Sequence, residues 1–190
     1  MAALKSNKII LSKEKLHFIL ERLTHQLIEN HIDFENSILI GIQPRGIKLC
    51  DRIHQILEKK LGKSIPKGYV DISLHRDDIH LMDKPQSMSQ TIIPSTLDNK
   101  NIILIDDVLY SGRTIRAALD TLMDYGRPRD IELLVLIDRR LHRHVPIQAK
   151  YIGQSIDSIE KERVQVYIDI ENQDDRVEIY THKEPTKAKG

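Results

Sequence analysis

The sequence predicts an α/β protein with a mostly parallel central sheet that is flanked by helices. Short apolar runs alternate along the chain with longer segments in which leucine or isoleucine recurs every three or four residues. Strands that alternate with helices in this way form parallel sheets covered on both faces. Because ligands of such sheets bind beyond the carboxyl ends of the strands, we expect the loops at 43–46, 76–98 and 106–113 to meet in one cleft.

The amino-terminal half contains two predicted helices and two predicted strands. Ser12 is a suitable N-cap for a helix over 12–30, in which leucine recurs at positions 16, 20, 23 and 27. The apolar run 37–41 predicts a buried strand, and 47–61 predicts a second helix. Residues 69–74 alternate and include β-branched types, which predicts a strand. The polar stretch that follows, 76–98, shows no regular spacing of apolar residues and is predicted to be a loop. A loop of this length in a compact domain usually has a function.

The carboxyl-terminal half continues the alternation. The runs 102–105 and 131–138 predict buried strands, and 114–125 predicts a helix that ends with Gly126 as C′ residue before Pro128. Shorter strands are predicted at 150–152, 164–168 and 177–180. We expect one domain over residues 1–180 and a disordered tail over 181–190.

The composition argues against several classes of protein. The net charge is +1, which does not fit a strongly basic nucleic-acid binder, and 40% of the 190 residues are hydrophobic, which does not fit a disordered chain. Cys50 is the only cysteine, which excludes an internal disulfide framework and a multi-cysteine zinc site and favours a reducing compartment. No apolar run is long enough for a membrane span, and the first ten residues lack a signal-peptide core. We therefore expect a cytoplasmic protein.

The segment NIILIDDVLYSGRT, residues 101–114, carries the clearest chemical signal. Asp106 and Asp107 follow a buried strand, where paired carboxylates can bind a divalent metal, transfer protons or accept hydrogen bonds from sugar hydroxyls. Residues 111–114 coincide with the start of a helix, whose free N–H groups and partial positive charge suit a phosphate. Two other phosphate motifs, G-x-x-x-x-G-K-[ST] and G-x-G-x-x-G, are absent from the chain. The alternative, an ordinary strand–turn–helix, does not explain two adjacent carboxylates that repel each other.

Residues 102–114 resemble the phosphoribosyl-pyrophosphate (PRPP) signature of type I phosphoribosyltransferases, which has four apolar residues, two acids and a small-residue loop ending in threonine. Four further stretches resemble one family within this class, that of the bifunctional pyrimidine operon attenuators and uracil phosphoribosyltransferases. They are GIQPRGIKL (41–49), DISLHRDD (71–78), GRP (126–128) and YIG (151–153). The match runs in order over about residues 8–180.

The resemblance implies a type I phosphoribosyltransferase fold with a flexible loop and a small hood, formed by about 138–165 and the N-terminal segment. It implies transfer of phosphoribose from PRPP to uracil, giving UMP and pyrophosphate, with Mg²⁺ as cofactor. It also implies a homo-oligomer. Departure of pyrophosphate leaves an oxocarbenium-like centre and a charged leaving group, which arginines and Mg²⁺ can stabilise electrostatically. A closing loop would exclude water.

The resemblance also assigns roles to individual residues. Arg76 would head the closing loop, and Asp106 and Asp107 would hold the ribose hydroxyls, which makes these three the expected catalytic residues. The expected PRPP-binding residues are Arg45, Gly46, Ile102, Ile103, Leu104, Ile105, Asp106, Asp107, Val108, Leu109, Tyr110, Ser111, Gly112, Arg113 and Thr114. The expected base-binding residues of the hood are Tyr151, Ile152, Gly153 and Asp157. No direct protein ligand of Mg²⁺ is predicted, because the metal would be bound mainly through PRPP.

The chain departs from the family pattern near the predicted site. Pro44 replaces the usual threonine in a loop where the superfamily often has a cis peptide, so we expect the Gln43–Pro44 bond to be cis. Asp157 stands where the hood usually has proline, as a surface turn residue or as an acid that helps to hold a metal. His142 and His144 are expected to be solvated, because no third metal ligand is evident.

Two other functions remain open. A purine phosphoribosyltransferase would typically have an acid at the position of Tyr110; a phenol ionises near pH 10 and is a poor base at neutral pH, which favours a pyrimidine.

The other alternative is an RNA-binding attenuator or nucleotide sensor with little catalysis. Arg22 and His25 match positions on the basic, mRNA-binding face of the family. Glu21 replaces a neutral residue of that face, and Gln148 and Gln154 replace basic ones. Since RNA affinity depends on phosphate neutralisation, we expect weak or no specific mRNA binding.

Overall fold

The computed structural model describes residues 6–73, 90–159, 161–169 and 174–181. Eight strands and three helices follow one another in these residues: β1 Ser6–Leu11, α1 Lys13–His31, β2 Ser37–Ile42, α2 Gly46–Leu61, β3 Lys67–Val70, β4 Asn101–Leu109, α3 Arg113–Met123, β5 Asp130–Arg139, β6 Tyr151–Ile156, β7 Glu162–Tyr167 and β8 Arg176–Thr181. The predicted N-cap of α1 is confirmed, because the Ser12 hydroxyl accepts a hydrogen bond from the Lys15 N–H at 3.4 Å.

The central sheet has five parallel strands in the order β3-β2-β4-β5-β6. Alternate residues of β4 point to opposite faces. Ile103 and Ile105 pack with α1 and α2, whereas Ile102 and Leu104 pack with α3. Both faces are therefore covered, as the continuous apolar runs predicted. The chain leaves β2 for β3 on one side and continues through β4 on the other, so a crevice forms between the carboxyl ends of β2 and β4.

A second, antiparallel sheet has the order β1-β8-β7. Its buried residues Leu11, Val164 and Val177 join the same apolar cluster as α1 and α2, which fixes this sheet beside the carboxyl end of β4. β1 was not predicted, because this six-residue strand is paired with β8 at the other end of the chain.

Most elements differ from their predicted bounds by a few residues, and three of these differences lie near the carboxyl ends of the strands or change a predicted cap. The strand predicted at 69–74 lies at Lys67–Val70, where it pairs with β2. The strand predicted at 102–105 continues to Leu109, because pairing with β5 extends past both aspartates. α3 ends at Met123 with Asp124 as C-cap, so Gly126 is not its C′ residue.

The tail was predicted to begin at residue 181, but Thr181 belongs to β8. The rest of the predicted tail, 182–190, lies outside the described residues, and so does most of the predicted long loop, at 74–89. None of the helices in the described ranges combines the length and the apolar character that a membrane span requires.

Candidate active site

A cleft of about 700 Å³ opens at the carboxyl ends of β2 and β4. Its walls come from the loop at 43–45, from 106–108 at the end of β4, and from 162–165 of the second sheet. The structure thus brings together two of the three loops that were expected to converge. The third, at 76–98, falls largely outside the described residues, and with it Arg76.

The two aspartates of β4 lie buried against this cleft. Asp106 is 5% exposed and Asp107 is 6% exposed, and the Asp107 N–H donates to Oδ1 of Asp106 at 2.9 Å. Burial raises the pKa of the Asp106 carboxyl well above its ordinary range, and the neighbouring Asp107 charge raises that pKa further. Burial also raises the pKa of Asp107, although the positive charge of Arg45 opposes the shift. The pair therefore keeps a proton to a higher pH than two separate, solvated aspartates would.

The loop after β2 approaches β4 very closely. A Cβ atom on Gly46 would collide with the Ile105 carbonyl oxygen and lie 3.3 Å from the Asp106 Cα, so only glycine fits here without a shift of the backbone. The Gln43–Pro44 peptide bond is cis, which confirms the prediction. Arg45 is exposed and lines the cleft immediately before α2 begins.

The loop after β4 turns the chain into α3 at the edge of the cleft. Gly112 is the N-cap of α3 and has φ of 89°, a conformation that glycine adopts at little cost. Thr114 lines the cleft in the first turn of α3. Gly112 has no side chain that could cap this helix, and the Arg113 N–H makes only a long hydrogen bond, 3.4 Å, to Oγ of Ser111. The start of α3 is therefore suited to an anion.

A neighbouring loop holds the turn after β4 in place. The N–H groups of His144 and Val145 both donate to the Ser111 carbonyl oxygen, at 2.9 and 3.1 Å. The Arg143 guanidinium donates to the Tyr110 carbonyl oxygen and to Oδ1 of Asp138. The turn therefore has its backbone fixed by residues that follow β5.

The predicted solvation of the two histidines in this loop is wrong for one of them. His144 is exposed, but His142 is partly buried and its ring centroid lies 5.7 Å from that of Tyr110. The aromatic contact removes the His142 ring from bulk water, which a sequence pattern does not show.

The other predicted PRPP residues divide into three groups. Ile102, Ile103, Leu104, Ile105 and Leu109 are buried in the core and do not line the cleft; they fix β4. Val108 and Tyr110 line the cleft, whereas Ser111, Gly112 and Arg113 form the turn into α3.

The structure does not bring the four predicted base-binding residues to the cleft. Tyr151 begins β6, at the opposite end of the sheet, where its hydroxyl donates to Oε2 of Glu132 at 2.7 Å. Ile152 and Gly153 pack against the sheet and α1. Asp157 is exposed and accepts two hydrogen bonds from Arg140, so it is a surface residue in this structure.

Six residues that were not individually predicted line the cleft instead. They are Arg139 at the end of β5, Glu162, Arg163, Val164 and Gln165 of β7, and Tyr180 of β8. All but Tyr180 fall within the hood expected at about 138–165. Arg139 could have been found from its position, because it ends a parallel strand on the ligand side of the sheet. The others depend on how the second sheet packs, which no local pattern reveals.

The cleft offers oxygen ligands but no complete protein metal cage. Among the described residues, no group of three or more histidine, cysteine, aspartate or glutamate side chains could hold a metal ion. Asp106 and Asp107 are suitable partners for a hard divalent cation that is also bound by a substrate's phosphates.

Comparison with known proteins agrees with this arrangement. Residues 6–171 match the family described as the phosphoribosyl transferase domain. The chain belongs to the phosphoribosyltransferase family. It is 42% identical to the bifunctional protein PyrR of Caldicellulosiruptor bescii over 170 residues, which cover 90% of this chain and 93% of the relative. It is 40% identical to that of Bacillus cereus over 179 residues, which cover 93% and 99%. Within phosphoribosyltransferases, the chain is thus a member of the PyrR family.

Solved structures of more distant phosphoribosyltransferases share the fold. The hypoxanthine phosphoribosyl transferase of Trypanosoma cruzi matches with a TM-score of 0.69 over 92% of this chain and 91% of that chain, at 15% identity. The hypoxanthine phosphoribosyltransferase of Staphylococcus aureus matches with a TM-score of 0.67 over 90% of both chains, at 20% identity. The expected type I phosphoribosyltransferase fold is confirmed, and identities this low carry no information about the base.

Proposed function

We propose that this phosphoribosyltransferase transfers phosphoribose from PRPP to uracil, releasing pyrophosphate and forming UMP. The observation that carries the proposal is the buried pair Asp106 and Asp107, which lines a cleft directly before the uncapped start of α3. A carboxylate pair and a helix N-terminus on one short segment match the diol and the 5-phosphate of PRPP. Membership of the PyrR family supports uracil as the acceptor.

The chain's own residues bind and orient PRPP in this proposal. Asp106 and Asp107 accept hydrogen bonds from the ribose hydroxyls, while the N–H groups at 111–114 surround the 5-phosphate. Arg45, with the close backbone approach at Gly46, faces the pyrophosphate. We assign to Arg76 the role of closing the site over that leaving group.

Mg²⁺ fits this site as a cofactor. Oxygen ligands from one or two carboxylates, together with substrate phosphates, are the usual environment of the ion, and the cleft offers two carboxyl groups beside the expected pyrophosphate position. When bound, Mg²⁺ would supply charge neutralisation of the leaving group. The cation would also favour the ionised form of the two aspartates, whose pKa values are raised by burial.

Tyr110 supports a pyrimidine rather than a purine acceptor. Its ring lines the cleft beside the Arg139 guanidinium and the His142 ring, and it takes the place of the acid typical of purine enzymes. A hydroxyl of this type does not remove a proton from a purine ring near neutral pH. We therefore expect uracil to be preferred over hypoxanthine and guanine.

RNA binding is the second candidate, because the relatives are named bifunctional proteins. The side chains on the expected face are already engaged within the protein. Arg22 donates to the carbonyl oxygens of Ile152 and Gly153 at 3.2 and 2.6 Å, and Lys60 forms a 2.7 Å salt bridge with Glu21. Because backbone carbonyls hold the Arg22 guanidinium and Glu21 offsets the charge of Lys60, we propose that specific mRNA binding is weak or absent. A filter-binding titration with a pyrimidine-operon leader that gave nanomolar, salt-sensitive affinity would overturn this.

The deciding experiment measures pyrophosphate release with Mg²⁺ and PRPP, offering uracil, hypoxanthine, guanine and orotate separately. Turnover with uracil that is lost in Asp106→Asn and Asp107→Asn supports the proposal. Turnover with a purine alone would replace uracil by that base. No turnover with any base, despite PRPP binding, would favour a nucleotide sensor. We also propose that the protein is a homo-oligomer, and light scattering of the same preparation measures its molar mass in solution. The proposed location is the cytoplasm.

A further inference from the structure

The side chain of Arg139 is buried between three parts of the cleft. Arg139 is the last residue of β5, is 5% exposed and lines the cleft. A buried cation is costly unless its donors are satisfied. This one donates to Oγ of Ser158 at 2.7 Å and to the carbonyl oxygens of Ile159 and Glu162 at 3.2 and 2.9 Å.

The hydrogen bonds of Arg139 to described residues all go to neutral oxygens, although the Glu162 charge lies near enough to favour its cationic form. Two other arginines of the structure are instead paired directly with carboxylates. Arg52 has a salt bridge with Asp175 at 3.0 Å, and Arg143 has one with Asp138. An arginine that is placed for stability alone would gain from a carboxylate partner. Its planar fork instead holds the backbone carbonyls of Ile159 and Glu162, where β7 begins and enters the cleft wall.

The face of the guanidinium covers the Tyr110 ring. The Arg139 Cζ lies 4.0 Å from the centroid of that ring. A guanidinium above an aromatic face is held by cation–π attraction, and its flat shape allows stacking that a lysine ammonium does not provide. The position of the Tyr110 ring is thereby tied to β5 and to the 158–162 segment.

We propose that Arg139 is a positioning residue for the nucleobase: it holds the Tyr110 ring against which the base packs. The inference rests on the proposed function only in taking the Tyr110 side of the cleft as the base site. The phosphoribose side is built from other contacts, those of 106–107 and 111–114. Loss of Arg139 should therefore weaken recognition of the base and leave recognition of the phosphoribose unchanged.

The test compares ligands that differ only in the base. Calorimetry gives the affinities of ribose 5-phosphate and of UMP, IMP and GMP, and the preferred nucleotide of the wild-type protein is used throughout. In the Arg139→Met variant we expect the affinity for this nucleotide to fall at least about tenfold, while the affinity for ribose 5-phosphate stays within about twofold of the wild-type value. Arg139→Lys should resemble Arg139→Met, because the fork and the stacking are lost although the charge remains. Arg140→Met, which removes an exposed charge at the next position, is the matched control and should change neither affinity.

A double-mutant cycle separates positioning from direct contact. If Arg139 acts through Tyr110, then Arg139→Met in a Tyr110→Leu background should add less than about twofold to the loss of nucleotide affinity. Full additivity would mean that Arg139 contacts the base itself and would overturn the proposal. Equal losses for ribose 5-phosphate and the nucleotide would show a merely structural role, and so would rescue by lysine.

The outcome is independent of which base is transferred. Absence of uracil turnover in the wild-type protein would refute the proposed function, while the ratio of nucleotide to ribose 5-phosphate affinity would still report on Arg139. If no nucleotide binds the wild-type protein more tightly than ribose 5-phosphate does, the Tyr110 side is not a base site and the role of Arg139 is refuted.

Discussion

Replacement of Asp106 by asparagine should stabilise the fold while it abolishes activity. Burial and the neighbouring Asp107 raise the pKa of Asp106, so the ionised carboxylate is unfavourable in the protein alone. Asparagine keeps an oxygen that can accept the Asp107 N–H and removes the charge. Removal of one poorly compensated buried polar group is worth about 1–3 kcal/mol. For a chain of this length that corresponds to a rise in Tm of about 2–12 °C.

The gain should depend on pH with a defined sign. A carboxyl whose folded-state pKa is raised binds its proton more tightly in the folded protein than in the unfolded chain, so wild-type stability falls as pH rises from about 4 through the folded-state pKa. The advantage of Asp106→Asn should be largest above that pKa and shrink as the pH approaches 4. Thermal unfolding followed by circular dichroism across this range measures it, and pyrophosphate release on the same samples measures activity.

Asp138→Asn is the matched control with the opposite sign. Asp138 is also buried, at 7% exposure, but its carboxylate is paired with the Arg143 guanidinium. Loss of one partner leaves the other charge uncompensated, which should cost about 2–4 kcal/mol. If Asp106→Asn lowers Tm as Asp138→Asn does, then Asp106 is a structural residue and our reasoning about the pair is refuted.

Three further substitutions test other parts of the structure. Gly46→Ala should destabilise the fold by about 1–3 kcal/mol in urea unfolding and raise the KM for PRPP, because the new Cβ collides with the Ile105 carbonyl oxygen; an unchanged KM would contradict the assigned role of this contact. Gly112→Ala should cost about 1–2 kcal/mol, since φ is 89°, and should weaken ribose 5-phosphate binding in calorimetry; unchanged binding would separate the turn from the phosphate site. Tyr151→Phe should cost about 1 kcal/mol through its lost hydrogen bond to Glu132 and leave the KM for uracil unchanged; an increase in that KM would return Tyr151 to the base site.

The central sheet and the PRPP segment could be predicted because their signals are local. The run 102–105 is apolar on both faces, which is the pattern of a strand covered by helices on both sides. The two carboxylates stand out because they interrupt that run at its carboxyl end. The strand is predicted by residues that are adjacent in the sequence. Its place beside the cleft then follows because ligands of parallel sheets bind beyond the carboxyl ends of the strands.

The strand pairing of the second sheet and the residues on the base side of the cleft could not be predicted from local patterns, although the resemblance implied a hood at about 138–165 together with the N-terminal segment. β1 is held by β8, and the cleft wall at 162–165 reaches the site only because that sheet packs beside β4. Tyr151 lies within a stretch that resembles the family, but resemblance in sequence did not indicate which end of β6 it occupies. Each of these positions depends on pairing between strands that are far apart in the sequence. Such pairing produces no regular spacing of apolar residues from which it could be predicted.

The contrast between Asp138 and Asp106 shows which features of the site serve the fold and which do not. Both are buried aspartates, on neighbouring strands of one sheet, at the same edge. Asp138 is neutralised by Arg143, in a contact that also fixes the turn after β4. Asp106 has no comparable ion pair among the described residues, and it lies beside a second carboxyl. A fold that needed only a polar residue there could have used an amide at lower cost. Asp106 is therefore best explained by a ligand that supplies the missing hydrogen-bond donors and positive charge, as PRPP with Mg²⁺ would.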